Sequence, residues 1–276
     1  MSELKKAEIP QIFISGIFRP KQPFFKIYGG WFLKHLKNVE HFFVQNEDSV
    51  KLLKKVGIDR VSKSGDTRFD RVAEITAKVG ANAIVEEFKN SQKLLLGGST
   101  WLPDEQIIKG LHHQQTSLKI IIAPHLIDEN HIRQIEELFP NSIRYSKAEE
   151  VSLKEYPVLI IDNMGMLSSL YQYANFAMIG GGFGVGIHNT LEAATFGMPI
   201  FIGPNYQKFQ EAKDLLKLGV INLVNDAAEL DKSISFLLND VEKWNAISVQ
   251  SKQYVKSNTG ATKMILEFIE KQLKFV

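Results

Sequence analysis

Three polar side chains follow a run of glycines in the second half of the sequence and have the spacing of one helix face. His188, Asn189 and Glu192 have pairwise separations of one, three and four residues, so a helix that begins there presents them together. Five glycines between residues 180 and 186 let a ligand approach the backbone closely, and the first N–H groups of a helix favour an anion. Glu192 is placed to accept hydrogen bonds from ribose hydroxyls. The glycines assigned to this predicted phosphate site are Gly181, Gly182 and Gly184.

The elements that must hold these side chains form a strand, a glycine turn, a helix and a second strand. Phe176–Ile179 has the length and apolar character of a buried strand, and Gly197 stands where a helix C-terminal cap is expected. Pro199 prevents the helix from continuing into the next predicted strand, Ile200–Ile202. A simpler interpretation stays open, in which the glycines only form a tight turn and Glu192 is a solvated acid of the first helical turn.

Strands alternate regularly with helices from residue 93 onward. The patterns predict strands at 94–96, 118–123, 158–161, 176–179, 200–202 and 220–224. The patterns predict one helix before this region, at 71–90, and further helices at 104–113, 128–138, 164–173, 208–218, 241–257 and 262–274. This alternation is typical of an α/β protein with a doubly wound parallel sheet, whose ligand lies at the carboxyl ends of the strands.

The stretch GGGFGVGIHNTLEAATFGMPIFIGPNYQKFQEA, which begins at residue 180, resembles the C-terminal signature of the 3-deoxy-D-manno-octulosonic acid (Kdo) transferases. The resemblance continues through residues 162–165 (DNMG), 97–100 (GGST) and 64–70 (SGDTRFD). It implies a GT-B glycosyltransferase fold and the transfer of Kdo from CMP-Kdo to a lipid A precursor in lipopolysaccharide core biosynthesis. It also implies donor binding with no metal and no cofactor.

The resemblance extends the donor site to the ends of other predicted strands. Ser99 and Thr100 would offer hydroxyl and N–H groups to a phosphate or a sugar carboxylate, although a helix-capping role explains them equally well. His125 follows the strand at 118–123. Met164 and Gly165 are expected to open a helix whose backbone N–H groups face the nucleotide, and Met164 as a plain core residue is the competing view.

One departure from the family concerns the phosphate. Many members carry an arginine beside the histidine that corresponds to His125, and this sequence has Pro124 there. Arg68, Arg71 and Lys208 are the possible substitutes, of which Arg68 and Lys208 are the predicted phosphate contacts, and each is equally explained as a solvated surface cation.

The resemblance covers essentially the whole chain but begins partway into the family's N-terminal domain. It implies that residues 1–68 are the C-terminal portion of the acceptor-side domain and that 69–259 form the nucleotide-sugar-binding domain. Residues 260–276 would form a terminal helix that crosses back to the first domain. The family's proposed general base, a glutamate, would lie outside this chain, so the expectation is donor binding with little turnover.

Two other functions stay open. Another GT-B glycosyltransferase, or a sugar-nucleotide epimerase that uses a UDP-sugar, would share the glycine turn and a ribose-binding glutamate. A non-catalytic nucleotide-binding remnant would account for the missing base.

Composition limits the remaining functions and the location. The formal charge of +2 gives no argument for nucleic acid, and the absence of cysteine excludes disulfides and thiolate metal sites. No apolar run has the length of a membrane span and no signal peptide is recognisable, which predicts a cytoplasmic protein. Residues 17–37 combine five Lys or Arg with six aromatic rings and no acid. That stretch fits either a core-facing helix or peripheral contact with the cytoplasmic face of the inner membrane.

Overall fold

The computed structural model describes residues 1–272. It contains these strands: β1 Ile12–Gly16, β2 His41–Val44, β3 Val61–Lys63, β4 Leu94–Thr100, β5 Lys119–Pro124, β6 Ser142–Arg144, β7 Val158–Ile160, β8 Phe176–Ile179, β9 Ile200–Ile202 and β10 Ile221–Leu223. The α-helices are α1 Ser2–Lys6, α2 Gly30–Leu36, α3 Glu47–Lys55, α4 Thr67–Lys78, α5 Ala83–Lys89, α6 Leu102–Gln114, α7 Glu129–Leu138, α8 Leu167–Leu170, α9 Leu191–Phe196, α10 Gln210–Lys217, α11 Ala227–Asn239, α12 Val241–Ser257 and α13 Ala261–Gln272. No helix within this described part of the chain is both long enough and apolar enough to cross a bilayer.

The chain divides into two compact units. Unit 1 comprises Met1–Arg71 together with the described residues from Lys256 onward, and unit 2 comprises Val72–Val255.

Unit 2 is built on a seven-stranded sheet. Its strand order is β10-β9-β8-β4-β5-β7-β6, and every pairing in it is parallel. Strands β5, β7, β8 and β9 are buried along their whole length, as expected where helices cover both faces of a parallel sheet. The predicted doubly wound α/β sheet is thereby confirmed.

Unit 1 contains a smaller parallel sheet in the order β1-β2-β3. Its apolar core includes Phe18, Leu36, Phe42 and Leu53. Helix α13 belongs to this unit, where the ring of Phe268 lies with its centroid 4.6 Å from that of His41 on β2.

Asp70 holds the start of α13. Its carboxylate accepts hydrogen bonds from the backbone N–H groups of Gly260 and Thr262 at 2.6 and 2.8 Å, and from the Thr262 hydroxyl at 2.9 Å. The 64–70 motif therefore contributes a helix cap inside unit 1. The predicted end of this helix at residue 274 lies outside the described residues.

Two helix predictions are wrong in their bounds. The single helix expected at 71–90 is two helices, because the Asn82 side chain accepts a hydrogen bond from the Val85 N–H at 3.1 Å and starts α5 anew. The helix expected from Met164 begins only at Leu167, since Gly165 has a φ of +89°, which a right-handed helix does not allow. The short strand β6 was not predicted.

Candidate functional site

The ends of three neighbouring strands bring most of the predicted site residues together. Strand β4 is paired with β8 on one side and with β5 on the other, so the strand order reverses there. The N–H of His125 donates to the carbonyl of Thr100 at 2.9 Å, and the N–H of Gly180 donates to that of Gly98 at 2.9 Å. The segments that follow β4, β5 and β8 therefore lie side by side at a topological switch point, where open α/β sheets bind their ligands.

The glycine loop between β8 and α9 is shaped by its own packing. Gly181 has a φ of +89° and Gly186 a φ of +113°, conformations that favour glycine. A Cβ on Gly182 would lie 2.5 Å from the backbone nitrogen of Gly203, whereas a Cβ on Gly184 would meet nothing within 4 Å. Gly181 and Gly182 are buried and Gly184 is exposed, so Gly184 is the one of these three with open space for a ligand beside it.

The N–H of Gly181 is not free for a phosphate. It donates to the Asp104 carboxylate at 3.0 Å, and the same Oδ2 atom accepts from the N–H of Trp101 at 2.9 Å. Asp104 is buried, and this burial raises the pKa of its carboxyl group even though the backbone hydrogen bonds from Gly181 and Trp101 oppose the shift. Sequence reasoning missed this residue, although an acid three residues after a helix N-cap is the sequence signal of such a contact.

Glu192 lies in the first turn of α9 with both carboxylate oxygens held. Oε2 accepts from the Ser168 hydroxyl at 2.9 Å and Oε1 accepts from the Asn189 amide at 3.1 Å. The Asn189 side-chain oxygen accepts in turn from the N–H of Leu191 at 3.1 Å, which fixes its orientation. The carboxylate is half-buried and retains lone pairs for further donors such as sugar hydroxyls. Ser168, which comes from α8, was not predicted.

Three rings form a stack beside the glycine loop. The indole N–H of Trp101 donates to Nε2 of His188 at 3.0 Å, and their ring planes differ by 15°. The ring of His125 is stacked on both, with its centroid 4.8 Å from that of Trp101 and 4.3 Å from that of His188. Burial and the neighbouring His125 lower the pKa of His188, which favours its neutral form. Trp101 was not predicted.

Thr100 does not present its hydroxyl to a ligand, which corrects that part of the sequence prediction. Its side chain is buried, and the hydroxyl donates to Oε1 of Glu105 at 2.9 Å. The other oxygen of Glu105 lies 3.0 Å from Nε2 of His131, whose Nδ1 lies 3.1 Å from the carbonyl of Leu126. Ser99 differs from its neighbour: it is half-buried, with a φ of +52° at an irregularity in the β4–β5 register.

The remaining predicted residues are all exposed. Met164 is 88% exposed, so the competing view of it as a core residue is wrong, and Gly165 beside it is also exposed. Lys208 is exposed and makes no ion pair with another described residue. Arg68 belongs to unit 1, where its guanidinium lies 2.7 Å from the carboxylate of Asp66. Within residues 1–272, no group of three His, Asp or Glu side chains is arranged to hold a metal ion.

Solved structures of the same architecture identify the fold. The C-terminal CMP-Kdo binding domain of WaaA from Acinetobacter baumannii is 21% identical with a TM-score of 0.54, over 67% of this chain and 96% of that domain. UDP-GlcNAc 2-epimerase from Neisseria meningitidis, bound to UDP-GlcNAc, is 16% identical with a TM-score of 0.60, over 98% of this chain and 71% of the epimerase. The fold is therefore α/β of the GT-B type, as predicted.

Curated relatives point to a particular family. Two proteins named 3-deoxy-D-manno-octulosonic acid transferase, from Rickettsia bellii and Chlamydia muridarum, are 28% and 29% identical over 88% and 66% of this chain. The resemblance to the Kdo transferases is confirmed. The chain covers 60% and 44% of these two proteins, so it spans about half the length of the relatives it matches. No protein-family model matches the chain.

Proposed function

We propose that unit 2 binds CMP-Kdo at the switch point and that the chain serves the transfer of Kdo to a lipid A precursor. The observation that carries this proposal is the Glu192 carboxylate, held by Ser168 and Asn189 beside the glycine loop. A half-buried carboxylate with free lone pairs can accept hydrogen bonds from ribose hydroxyls, which is the role that the resemblance to the Kdo transferases implies for Glu192. Sequence similarity to proteins named Kdo transferase, together with structural similarity to a CMP-Kdo binding domain, supports CMP-Kdo as the nucleotide sugar.

The other site residues have complementary roles in this proposal. Glu192 accepts hydrogen bonds from the ribose hydroxyls, and Ser99, His125 and His188 donate to the phosphate or to the carboxylate of Kdo. Gly184 permits close approach of the ligand to the backbone, and the exposed ammonium group of Lys208 attracts the anionic CMP-Kdo. Hydrogen-bond donors that the fold already holds in position stabilise the charge that develops on the phosphate of the leaving CMP. Met164, Gly165 and Arg68 stay predicted contacts.

Calorimetric titration with CMP tests the proposal. The unaltered chain should bind CMP in the presence of EDTA and prefer it to UDP, which separates a Kdo transferase site from that of a UDP-sugar enzyme. Glu192→Gln should weaken binding by roughly 1–3 kcal/mol through loss of charge-assisted hydrogen bonds. The matched control is Glu242→Gln, which alters an exposed glutamate at the start of α12. No binding at millimolar CMP, or equal affinities of the two variants, would refute the site.

The membrane surface is the second part of the proposal, and unit 1 carries the observation that supports it. Phe25 and Leu33 pack against the core, whereas Ile27 is fully exposed and Tyr28 and Trp31 are 76% and 66% exposed. The core-facing interpretation of residues 17–37 is therefore correct only for part of the stretch. Exposed aromatic rings among lysines and no acids suit an anionic lipid surface. We propose that this surface contacts the cytoplasmic face of the inner membrane, where a lipid acceptor would lie.

A further inference from the structure

Trp101 determines which nitrogen of His188 carries the proton. The indole Nε1–H can only donate, so Nε2 of His188, 3.0 Å away, must accept. A neutral imidazole that accepts at Nε2 carries its proton on Nδ1. The nearly parallel planes of the two rings, 15° apart, are consistent with an in-plane hydrogen bond.

The ring of His188 is held from several sides, and this leaves one polar edge free. Its backbone N–H donates to the carbonyl of Gly180 at 3.1 Å, and its Cδ2 edge lies 3.2 Å from the point where a Cβ on Gly181 would stand. The ring of His125 covers one face at 4.3 Å. Nδ1 is not among the buried unpartnered atoms and has no hydrogen-bond partner among the described residues.

The backbone on both sides of this contact is tied to a single carboxylate. Asp104 accepts from the N–H of Trp101 at 2.9 Å and from the N–H of Gly181 at 3.0 Å. The ring that donates to His188 and the loop on which His188 lies are thus fixed to the same buried atom. This double anchoring restrains the backbone of Trp101 relative to the loop that carries His188, which supports the geometry of the indole–imidazole hydrogen bond.

We propose that Trp101 is a positioning residue that holds His188 as the Nδ1–H tautomer, so that His188 donates a hydrogen bond to an anionic oxygen of the bound nucleotide. The proposal rests on the nucleotide site described above. It assigns to Trp101 no contact with the reacting atoms. It also explains how the site can offer a neutral N–H donor where Pro124 leaves no arginine.

The test uses Trp101→Phe, which preserves an aromatic ring for His125 to stack on and removes the indole N–H. The matched control is Trp244→Phe, because the indole N–H of Trp244 donates to the carbonyl of Asn175 at 3.0 Å elsewhere in unit 2. Nitrogen-15 chemical shifts of His188, assigned by comparison with His188→Gln, report the tautomer. Calorimetry with CMP reports the effect on binding.

The unaltered chain and the control should show a protonated Nδ1 on His188, and Trp101→Phe should show a tautomer mixture. CMP affinity should fall about 2- to 10-fold in Trp101→Phe only, because the tautomer mixture lowers the fraction of the binding-competent Nδ1–H form to about one half to one tenth. An unchanged tautomer, or an altered tautomer with unchanged affinity, would overturn the assignment of Trp101. Failure of the unaltered chain to bind CMP would instead overturn the nucleotide site and the ligand role of Trp101 with it, while the tautomer spectrum would still decide the hydrogen bond.

Discussion

Replacement of Gly182 by alanine should destabilise unit 2 because two backbone segments touch there. A Cβ on Gly182 would lie 2.5, 2.7 and 3.1 Å from the N, Cα and C atoms of Gly203. Carbon atoms normally rest about 3.5–4.0 Å apart, so the methyl group overlaps main-chain atoms by roughly 1 Å. Substitution of the partner glycine, Gly203→Ala, meets the same contact, since its Cβ would lie 2.6 Å from the carbonyl carbon of Gly182.

The expected loss follows from what would have to move. Overpacking in a well-packed region costs typically about 1–3 kcal/mol, and here the obstacle is main chain instead of the end of a flexible side chain. We therefore expect Gly182→Ala to lower the free energy of unfolding by about 3 kcal/mol. The φ of Gly182 is not in the left-handed region, so close backbone contact alone is the cause.

Gly184→Ala is the matched control in the same loop. A Cβ there has open space and no positive φ to oppose it, so stability should be unchanged or rise by about 0.4–1 kcal/mol. Urea denaturation followed by circular dichroism, without nucleotide, measures both variants. Equal stabilities of Gly182→Ala and Gly184→Ala would refute the packing argument and restore ligand approach as the main reason for glycine at position 182.

Two further predictions concern pH and membranes. Burial lowers the pKa of His112 in the folded protein. The neutral imidazole therefore contributes stability above the ordinary histidine pKa of about 6.5, and this contribution is lost as the pH falls through the lower pKa of the folded state. The unfolding free energy of His112→Gln should fall less between pH 7 and pH 5 than that of the unaltered chain, and equal slopes would contradict this. The double variant Tyr28→Ser, Trp31→Ser should sediment less with anionic phospholipid vesicles than the unaltered chain. The control variant Phe236→Ser, which removes an exposed ring of unit 2, should sediment as the unaltered chain does. Equal effects would refute the proposal that the exposed rings of unit 1 contact the membrane.

Local signals in the sequence were sufficient to predict the segment made of β8, the glycine loop, α9 and β9. The strands β8 and β9 were predicted at their observed bounds, and Gly197 caps α9 with a φ of +77°. These features depend on a few adjacent residues: a short apolar run, a residue without a Cβ, and a proline that cannot continue a helix. The same kind of local signal at Asn82 marks the start of α5, and it was overlooked.

The partners of the site residues were decided by tertiary structure alone. Trp101 donates to His188 across 87 residues, Asp104 accepts from Gly181 across 77, and Ser168 donates to Glu192 across 24. The first two contacts exist because β4 is paired with β8, and many strand orders are compatible with the same alternation of strands and helices. Residue types and their spacing determined which segments carry polar groups to the strand ends. Only the order of the strands, set by how the crossovers pack on the sheet, determined which of those groups meet.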